Sequence, residues 1–131
     1  MTKVFTNGCF DIIHAGHCKL LRYAASLGDK LIVGINSDAS IKKLKGDSRP
    51  YNKEENRKYV LECFSFIDEV IIFNEQTPYE LMLKVKPDII VKGGDYTPET
   101  IIGNDLAKVK IFPLEKGLST TKSYEQIISN R

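Results

Sequence analysis

Short apolar runs alternate with amphipathic stretches along the whole chain. Residues 30–36 (KLIVGIN) are almost continuously apolar, which is typical of a strand buried on both faces of a sheet. Residues 16–27 repeat their apolar side chains at helical spacing and are followed by Gly28, a common helix stop. The pattern predicts strands at residues 4–8, 30–36, 70–73, 88–91 and 109–112, and helices at 16–27, 53–64, 78–85 and from about 120 onward.

This alternation predicts an α/β fold, with one Rossmann-like domain over residues 1–131. The expected architecture is a five-stranded parallel sheet with helices on both faces. Ligands of such sheets bind outside the carboxyl ends of the strands. We therefore expect the polar and glycine-rich segments 7–8, 36–38, 93–95 and 117–121 to meet at one rim. The polar, basic segment 42–52 is predicted to be an exposed loop.

Composition and charge exclude several classes of protein. The formal net charge is only +2, which argues against a nucleic-acid-binding module despite the basic cluster within residues 42–49. The three cysteines form no regular framework and no apolar run is long enough to span a bilayer, so we expect neither a disulfide scaffold nor a membrane segment. The first residues have a strand pattern and not that of a signal peptide, from which we expect a cytoplasmic protein.

The most informative segment is residues 6–17 (TNGCFDIIHAGH), which contains both histidines of the chain. His14 and His17 lie three residues apart at the start of a predicted helix, so their rings share one face. A helix N-terminus attracts phosphate, and Gly8 and Gly16 allow the backbone to approach a ligand closely. The residues alone leave three interpretations open: a polyphosphate site, a plain helix cap, or a metal site that includes the two nearby cysteines, although their spacing matches no standard zinc motif.

The run GCFDIIHAGH resembles the HxGH signature of the cytidylyltransferase-like nucleotidyltransferase family. The segment GLSTT, at residues 117–121, resembles the second phosphate motif of that family. The resemblance implies that His14 and His17 contact the nucleotide phosphates and stabilise the transition state. In the implied reaction the substrate phosphate attacks the α-phosphorus in line, and pyrophosphate leaves. Considered without the family, Ser119 or Thr120 is most simply a helix N-cap.

The resemblance also implies roles for other residues. Lys45 is expected to be a third catalytic residue that closes on the triphosphate as a lid, with a solvated lysine as the alternative. Asp11 and Asp38 are expected to bind the substrate, with structural roles as the alternative. Mg²⁺ is the expected cofactor because a triphosphate is the donor, and no protein ligand for it is predicted. The residues expected to bind the nucleotide are Asn7, Gly8, Cys9, Phe10, Gly16, Arg57, Lys92, Gly93, Asp95, Ser119, Thr120 and Thr121.

Two of these nucleotide assignments have structural alternatives of their own. Arg57 is also compatible with a surface ion pair. The segment from Lys92 to Asp95 is also compatible with an ordinary turn at the end of a strand.

Within the family, five segments resemble enzymes that transfer AMP from ATP to D-glycero-β-D-manno-heptose 1-phosphate. They are TNGCFDIIHAGH, LGDKLIVGINSDAS, LKGDSRPYN, PDIIVKGGDY and GLSTT. The resemblance implies lipopolysaccharide biosynthesis and a homodimer. The alternative is a glycerol-3-phosphate cytidylyltransferase that uses CTP, but its second phosphate motif usually begins with an arginine, which is missing before Gly117 here. A non-catalytic nucleotide-binding domain is the rival outside the enzyme class, and pyrophosphate release distinguishes it.

Overall fold

The computed structural model describes residues 1–113 of the chain. Within them, strands and helices follow one another in the predicted alternation. The predicted last helix, with Ser119, Thr120 and Thr121, lies outside the described residues. The strands are β1 (Lys3–Gly8), β2 (Lys30–Asn36), β3 (Glu69–Phe73), β4 (Ile89–Gly93) and β5 (Lys108–Phe112). The helices are α1 (Ala15–Ser26), α2 (Asp38–Lys45), α3 (Glu54–Glu62), α4 (Tyr79–Val85) and a short 3₁₀ helix (Pro98–Thr100).

The strands form one parallel sheet in the order β3-β2-β1-β4-β5, which confirms the predicted α/β fold. The chain adds strands first on one side of β1 and then on the other, so the topological switch point lies between β1 and β4. There Thr6 pairs with Val91, and the Thr6 hydroxyl donates to the Val91 carbonyl at 2.8 Å. The carboxyl ends of these two strands, residues 7–8 and 92–93, therefore flank the crevice where ligands of such sheets bind.

An apolar core covers each face of the sheet. On one face, Leu21 of α1 and Leu61 of α3 belong to the same buried cluster as Val33 of β2. On the other face, α4 packs against Phe5 and Ile90. Burying one such side chain contributes about 1.5–3 kcal/mol, so both faces are stabilised and the predicted helices on both faces are confirmed. No helix among residues 1–113 is long and apolar enough to cross a bilayer.

The main departure from the predicted elements is α2. Residues 42–45 were expected in a loop, and that expectation is wrong because they form the second half of this helix. The Ser37 side chain accepts from the Ser40 backbone N–H at 3.1 Å and caps its start, while Ile41 is buried. Three lysines occupy its last turn, where positive charge offsets the negative end of the helix dipole. A single buried apolar side chain is too weak a pattern to reveal so short a helix from sequence.

Candidate active site

The turn between β1 and α1 places the first site residues at the switch point. Phe10 has a φ of +49°, a left-handed conformation that costs a non-glycine residue about 1–3 kcal/mol. Its buried ring lies 5.2 Å from the His17 ring, measured between centroids. A Cβ atom on Gly8 would meet the Phe10 ring at 3.1 Å, so the absence of a side chain there makes room for the ring. Phe10 thereby supports His17 from the core side.

The two histidines cap α1 reciprocally. The His14 Nδ1 atom accepts from the Gly16 backbone N–H at 3.0 Å, and the His17 Nδ1 atom accepts from the His14 backbone N–H at 3.2 Å. Their rings lie against each other, with centroids 3.9 Å apart and planes tilted by 34°. A neutral imidazole whose Nδ1 atom accepts carries its hydrogen on Nε2. The hydrogen-bond pattern therefore assigns an Nε2–H donor to each ring.

Burial keeps both histidines neutral. Desolvation, followed by the charges of His14 and Lys45, lowers the pKa of His17 from 6.5 to about 4. Desolvation also lowers the pKa of His14. The Nε2 atom of His14 is shut off from solvent and has no hydrogen-bond partner among the described residues. Leaving a buried donor without a hydrogen-bond partner costs about 1–3 kcal/mol. The unpaired Nε2–H group of His14 is therefore a feature that a bound ligand would explain.

Two cavities open at the switch point. The smaller one, of about 180 Å³, is bounded by Gly16 and His17 at the start of α1 and by Gly93 at the end of β4. The larger one, of about 500 Å³, reaches the 3₁₀ helix. Within the described part of the chain, neither cavity is lined by a carboxylate. The wall common to both consists of Asn7, Gly8, Cys9, Lys45 and Lys92.

Two lysines make this pair of cavities electropositive. Lys45 ends α2, and its charge lowers the pKa of both His17 and Lys92. Burial is the larger cause of the lowered pKa of Lys92, which sits in β4 one residue before its end. Positive side chains and the neutral Nε2–H donor of His17 at carboxylate-free cavities suit phosphate groups. His14, also expected to be catalytic, contacts the His17 ring but lines neither cavity.

Arg57 lies apart from these cavities, in the protein interior. Only 1% of its surface is exposed, and its guanidinium donates to the carbonyls of Cys9, Asn36 and Asn52 at 2.7–2.9 Å. It also forms a 2.8 Å ion pair with Asp38. These bonds contradict both the expected nucleotide contact and the surface ion pair. Arg57 instead fastens the ends of β1 and β2 to the segment that precedes α3.

The two aspartates expected to bind the substrate are also engaged within the protein. The buried Asp11 carboxylate accepts the backbone N–H groups of Tyr51 and Asn52 at 2.7 and 2.8 Å. One oxygen of Asp38 accepts from the Glu54 backbone N–H at 2.9 Å as well as from Arg57. Neither aspartate lines either cavity. The expectation of substrate binding is corrected to the structural alternative, because Asp11 ties the segment before α3, and Asp38 ties α3 itself, to the rest of the domain.

Asp95, expected to bind the nucleotide, is exposed and lines neither cavity. Gly94, beside it, has a φ of +123°, and a Cβ atom there would lie 2.9 Å from the Tyr96 ring. The turn therefore directs Tyr96, and not Asp95, toward the larger cavity. The expected residues that the structure does bring to the cavities are Asn7, Gly8, Cys9, Phe10, Gly16, His17, Lys45, Lys92 and Gly93.

Several residues of the larger cavity were missed from sequence. They come from the connections that follow β2, β3 and β4 and carry no motif. The segment after β3 was identifiable, because the rule that ligands bind beyond the carboxyl ends of strands applies to it as well. The missed residues are Leu44, Gln76, Thr77, Pro78, Tyr96, Thr100, Ile101 and Ile102, whereas Asn36 belongs to the segment that was expected at the rim.

A further cleft, of about 530 Å³, lies between β3 and α4. It contains none of the expected site residues, and its charges are partly paired within the protein. Lys30 and Glu69, for example, lie 3.6 Å apart. The candidate site is therefore the pair of cavities at the switch point.

A parallel sheet with paired histidines and two lysine-lined cavities at its switch point defines an α/β protein suited to phosphate-bearing ligands. The family model described as cytidylyltransferase-like matches residues 5–127. The chain therefore belongs to this family of nucleotidyltransferases, which confirms the family predicted from the HxGH resemblance.

Curated relatives share about half of the residues. The chain is 52% identical over 132 residues to the bifunctional protein HldE of Syntrophotalea carbinolica, covering 97% of this chain and 27% of that protein. It is 56% identical over 125 residues to the bifunctional protein HldE of Campylobacter jejuni subsp. doylei, covering 95% of this chain and 27% of that protein. The chain thus spans about a quarter of the length of these relatives.

Solved structures show the same fold. The lipopolysaccharide core biosynthesis protein from Thermoplasma volcanium superposes with a TM-score of 0.72 at 30% identity, covering 88% of this chain and 98% of that one. A pantoate-beta-alanine ligase from Francisella tularensis superposes with a TM-score of 0.69 at 16% identity, covering 95% of this chain and 65% of that one. The second likeness concerns the fold alone.

Proposed function

We propose that the protein transfers the adenylyl group of ATP to a sugar 1-phosphate, D-glycero-β-D-manno-heptose 1-phosphate, and releases pyrophosphate. One observation carries the proposal: the neutral His17, with an Nε2–H donor and the His14 ring against it, lines the smaller of two adjoining carboxylate-free cavities, and Lys45 and Lys92 line both. Such a site attracts a polyphosphate and stabilises the charge that develops when its α-phosphorus is attacked.

The histidines act as hydrogen-bond donors. The α1 N-terminus does not offer its Gly16 N–H to the ligand directly, because His14 Nδ1 accepts it. Each ring instead takes a backbone N–H on one nitrogen and presents a donor on the other. His17 presents its donor at the smaller cavity, and His14 stacks against it. Fixed rings need little reorganisation when charge moves to the leaving pyrophosphate.

Mg²⁺ enters in this mechanism as part of the donor substrate, MgATP. The Asp11 and Asp38 carboxylates accept backbone or guanidinium donors. No group of three or more histidine, cysteine or acidic side chains suited to a metal occurs in residues 1–113. The phosphates themselves are the preferred oxygen ligands of Mg²⁺, so the ion needs no cage of protein carboxylates.

The choice of ATP and heptose 1-phosphate is supported by the relatives. The HldE proteins match nearly the whole chain, and the Thermoplasma volcanium protein is named for lipopolysaccharide core biosynthesis. The segments LKGDSRPYN and VKGGDY and the missing arginine before Gly117 favour this substrate pair over CTP and glycerol 3-phosphate. By the same resemblance, we place the enzyme in the cytoplasm as a homodimer.

The direct test is a matrix of pyrophosphate release. ATP and CTP are each combined with heptose 1-phosphate and glycerol 3-phosphate, and the rates are compared. The expected productive pair is ATP with heptose 1-phosphate. A preference for CTP with glycerol 3-phosphate would replace the proposed substrates and leave the fold and the histidine roles in place. The absence of pyrophosphate release with every pair would contradict the enzymatic function and favour a nucleotide-binding domain without catalysis.

A further inference from the structure

Lys92 occupies a special position between the two cavities. It belongs to β4, next to β1 at the switch point, and it lines both the smaller and the larger cavity. Lys45 shares this position, but it is exposed at the end of a helix, whereas Lys92 is partly enclosed by the sheet. A charge at this place faces any ligand that spans the two cavities.

The charge of Lys92 has no counterion among the described residues. The ion pairs that the structure shows in residues 1–113 do not include it. Two neighbouring groups act on it in opposite directions, because Cys9 raises the pKa of Lys92 and Lys45 lowers it. Burial lowers the pKa of its ammonium group, which means that enclosure disfavours the charged form. Lys30, by contrast, pairs with Glu69. A partly desolvated cation without a protein partner is costly unless a ligand supplies the negative charge.

The larger cavity has the composition of a site for a phosphorylated polar molecule. Its described lining contains two cations, Lys45 and Lys92, and no carboxylate. The amides of Asn7 and Gln76 are suited to hydroxyl groups. Its remaining walls are largely apolar, and its volume of about 500 Å³ lies within the range of small-molecule sites.

In-line displacement determines which phosphate lies on each side. The attacking oxygen and the leaving pyrophosphate stand on opposite sides of the α-phosphorus. The smaller cavity contains His17 and the start of α1, which are suited to the triphosphate of the donor. The attacking phosphate therefore approaches from the larger cavity, and Lys92 stands at the junction.

We propose that Lys92 is a catalytic residue that binds the phosphate of the acceptor sugar and directs one of its oxygens at the α-phosphorus. That oxygen forms the new P–O bond, the bond between the α-phosphorus and the α–β bridging oxygen breaks, and pyrophosphate leaves with the electron pair. The step needs no proton and no additional reactant. This role of Lys92 rests on the proposed function and assigns the acceptor phosphate within it.

The first experiment compares steady-state kinetics of Lys92→Met and Lys92→Gln with wild type. Both variants are expected to lower kcat/KM for the acceptor by about 10²-fold, the scale of losing one contact to a reacting phosphate. The KM for MgATP should change less than about 3-fold, and the Tm should stay the same or rise because a desolvated charge is removed. The matched control is Lys43→Met, which removes an exposed lysine of α2 that lines neither cavity and should behave as wild type.

A second experiment measures binding without turnover. A non-hydrolysable ATP analogue with Mg²⁺ occupies the donor side, and inorganic phosphate is then titrated by calorimetry. Wild type and Lys43→Met should bind phosphate, and Lys92→Met should lose most of that binding. Unchanged phosphate binding by Lys92→Met, or an increase in the KM for MgATP as large as that for the acceptor, would overturn the role of Lys92. This titration does not depend on which substrates wild type turns over, so it separates failure of the proposed function from failure of the Lys92 assignment.

Discussion

The histidine pair and the Arg57 network lie close to the same strand ends and use their polar groups in opposite ways. His14 and His17 each satisfy one nitrogen within the protein and keep the other for a ligand. Arg57 directs four hydrogen bonds to protein acceptors and is almost entirely buried. One region presents donors to a cavity, and the other uses its donors to hold that region in place.

This difference shows that charge near an active site is not evidence of ligand contact. The network reaches the site through the carbonyl of Cys9, the residue that precedes the strained Phe10. A left-handed Phe10 persists only where its surroundings fix it. Arg57 supplies such a restraint on one side, and Asp11, on the other side, anchors to the segment before α3. The buried charges therefore position the turn that carries the chemistry.

The largest expected effect is on stability, from Arg57→Met. The variant leaves three carbonyl groups and the Asp38 carboxylate without their donor. Removing one partner of a buried ionic network costs about 3–5 kcal/mol. Urea denaturation should show this loss in the free energy of unfolding. Arg57→Lys should recover only part of it, because one ammonium group cannot reach four separate acceptors.

The matched control for this prediction is Arg22→Met, which removes an exposed arginine of α1. Its free energy of unfolding should stay within about 0.5 kcal/mol of wild type. If Arg57→Met were as stable as Arg22→Met, the guanidinium would not be a structural centre, and a role as a ligand for the nucleotide would regain support.

The next largest effect is on turnover, from the histidines. His14→Ala and His17→Ala should each lower kcat by about 10²-fold or more, the scale of losing one donor to the transition state. His14→Asn separates catalysis from helix capping, since asparagine is a good N-cap but lacks the Nε2–H donor. Its Tm should match wild type while its kcat stays low. If His14→Asn had the kcat of wild type, His14 would act only as a helix cap and not as a donor to the phosphates.

The smallest expected effect is that of the cysteines. Cys9 and Cys18 are half-buried, Cys63 is exposed, and none forms a disulfide. A Cys9→Ser, Cys18→Ser double variant should keep substantial activity because neither thiol is needed to stabilise phosphate. Metal analysis of wild type and the variant should find no zinc in either. Stoichiometric zinc in wild type that is lost in the variant would restore the metal-site interpretation.

Sequence predicted the parts of the molecule that depend on local pattern. The strands were predicted because parallel, doubly covered strands are continuously apolar, as in residues 30–36. The helix start at His14 and His17 was predicted because both the spacing and the family signature lie within twelve consecutive residues. The placement of Lys92 at the rim followed from strand ends that converge in a parallel sheet, whereas the role of Lys45 was predicted from the family resemblance alone.

The remaining assignments depended on contacts between distant segments. Asp11 and the backbone of Tyr51 are 40 positions apart, and neither segment contains a sequence pattern that predicts their hydrogen bond. A burial of 1% for Arg57 likewise contradicts the usual exposure of arginine. The larger cavity is assembled from segments at the carboxyl ends of four strands, β1 to β4, so its walls have no continuous motif. Site residues that lie within one continuous motif were therefore predicted from sequence, and those that the fold brings together from distant segments were not.

The central claim is that His14 and His17 are neutral Nε2–H donors that bind the donor's phosphates. The most direct measurement is ¹⁵N NMR of the two imidazoles from pH 7 to pH 4, with and without an unreactive MgATP analogue. Without nucleotide, His17 should remain an Nε2–H tautomer until the pH approaches its pKa of about 4, and stability should fall as the pH drops below 6.5 because the unfolded chain then binds the proton first. With nucleotide, the Nε2 resonances of both rings should shift. Protonation of His17 near pH 6.5, an Nδ1–H tautomer, or unchanged resonances in the presence of nucleotide would contradict the account.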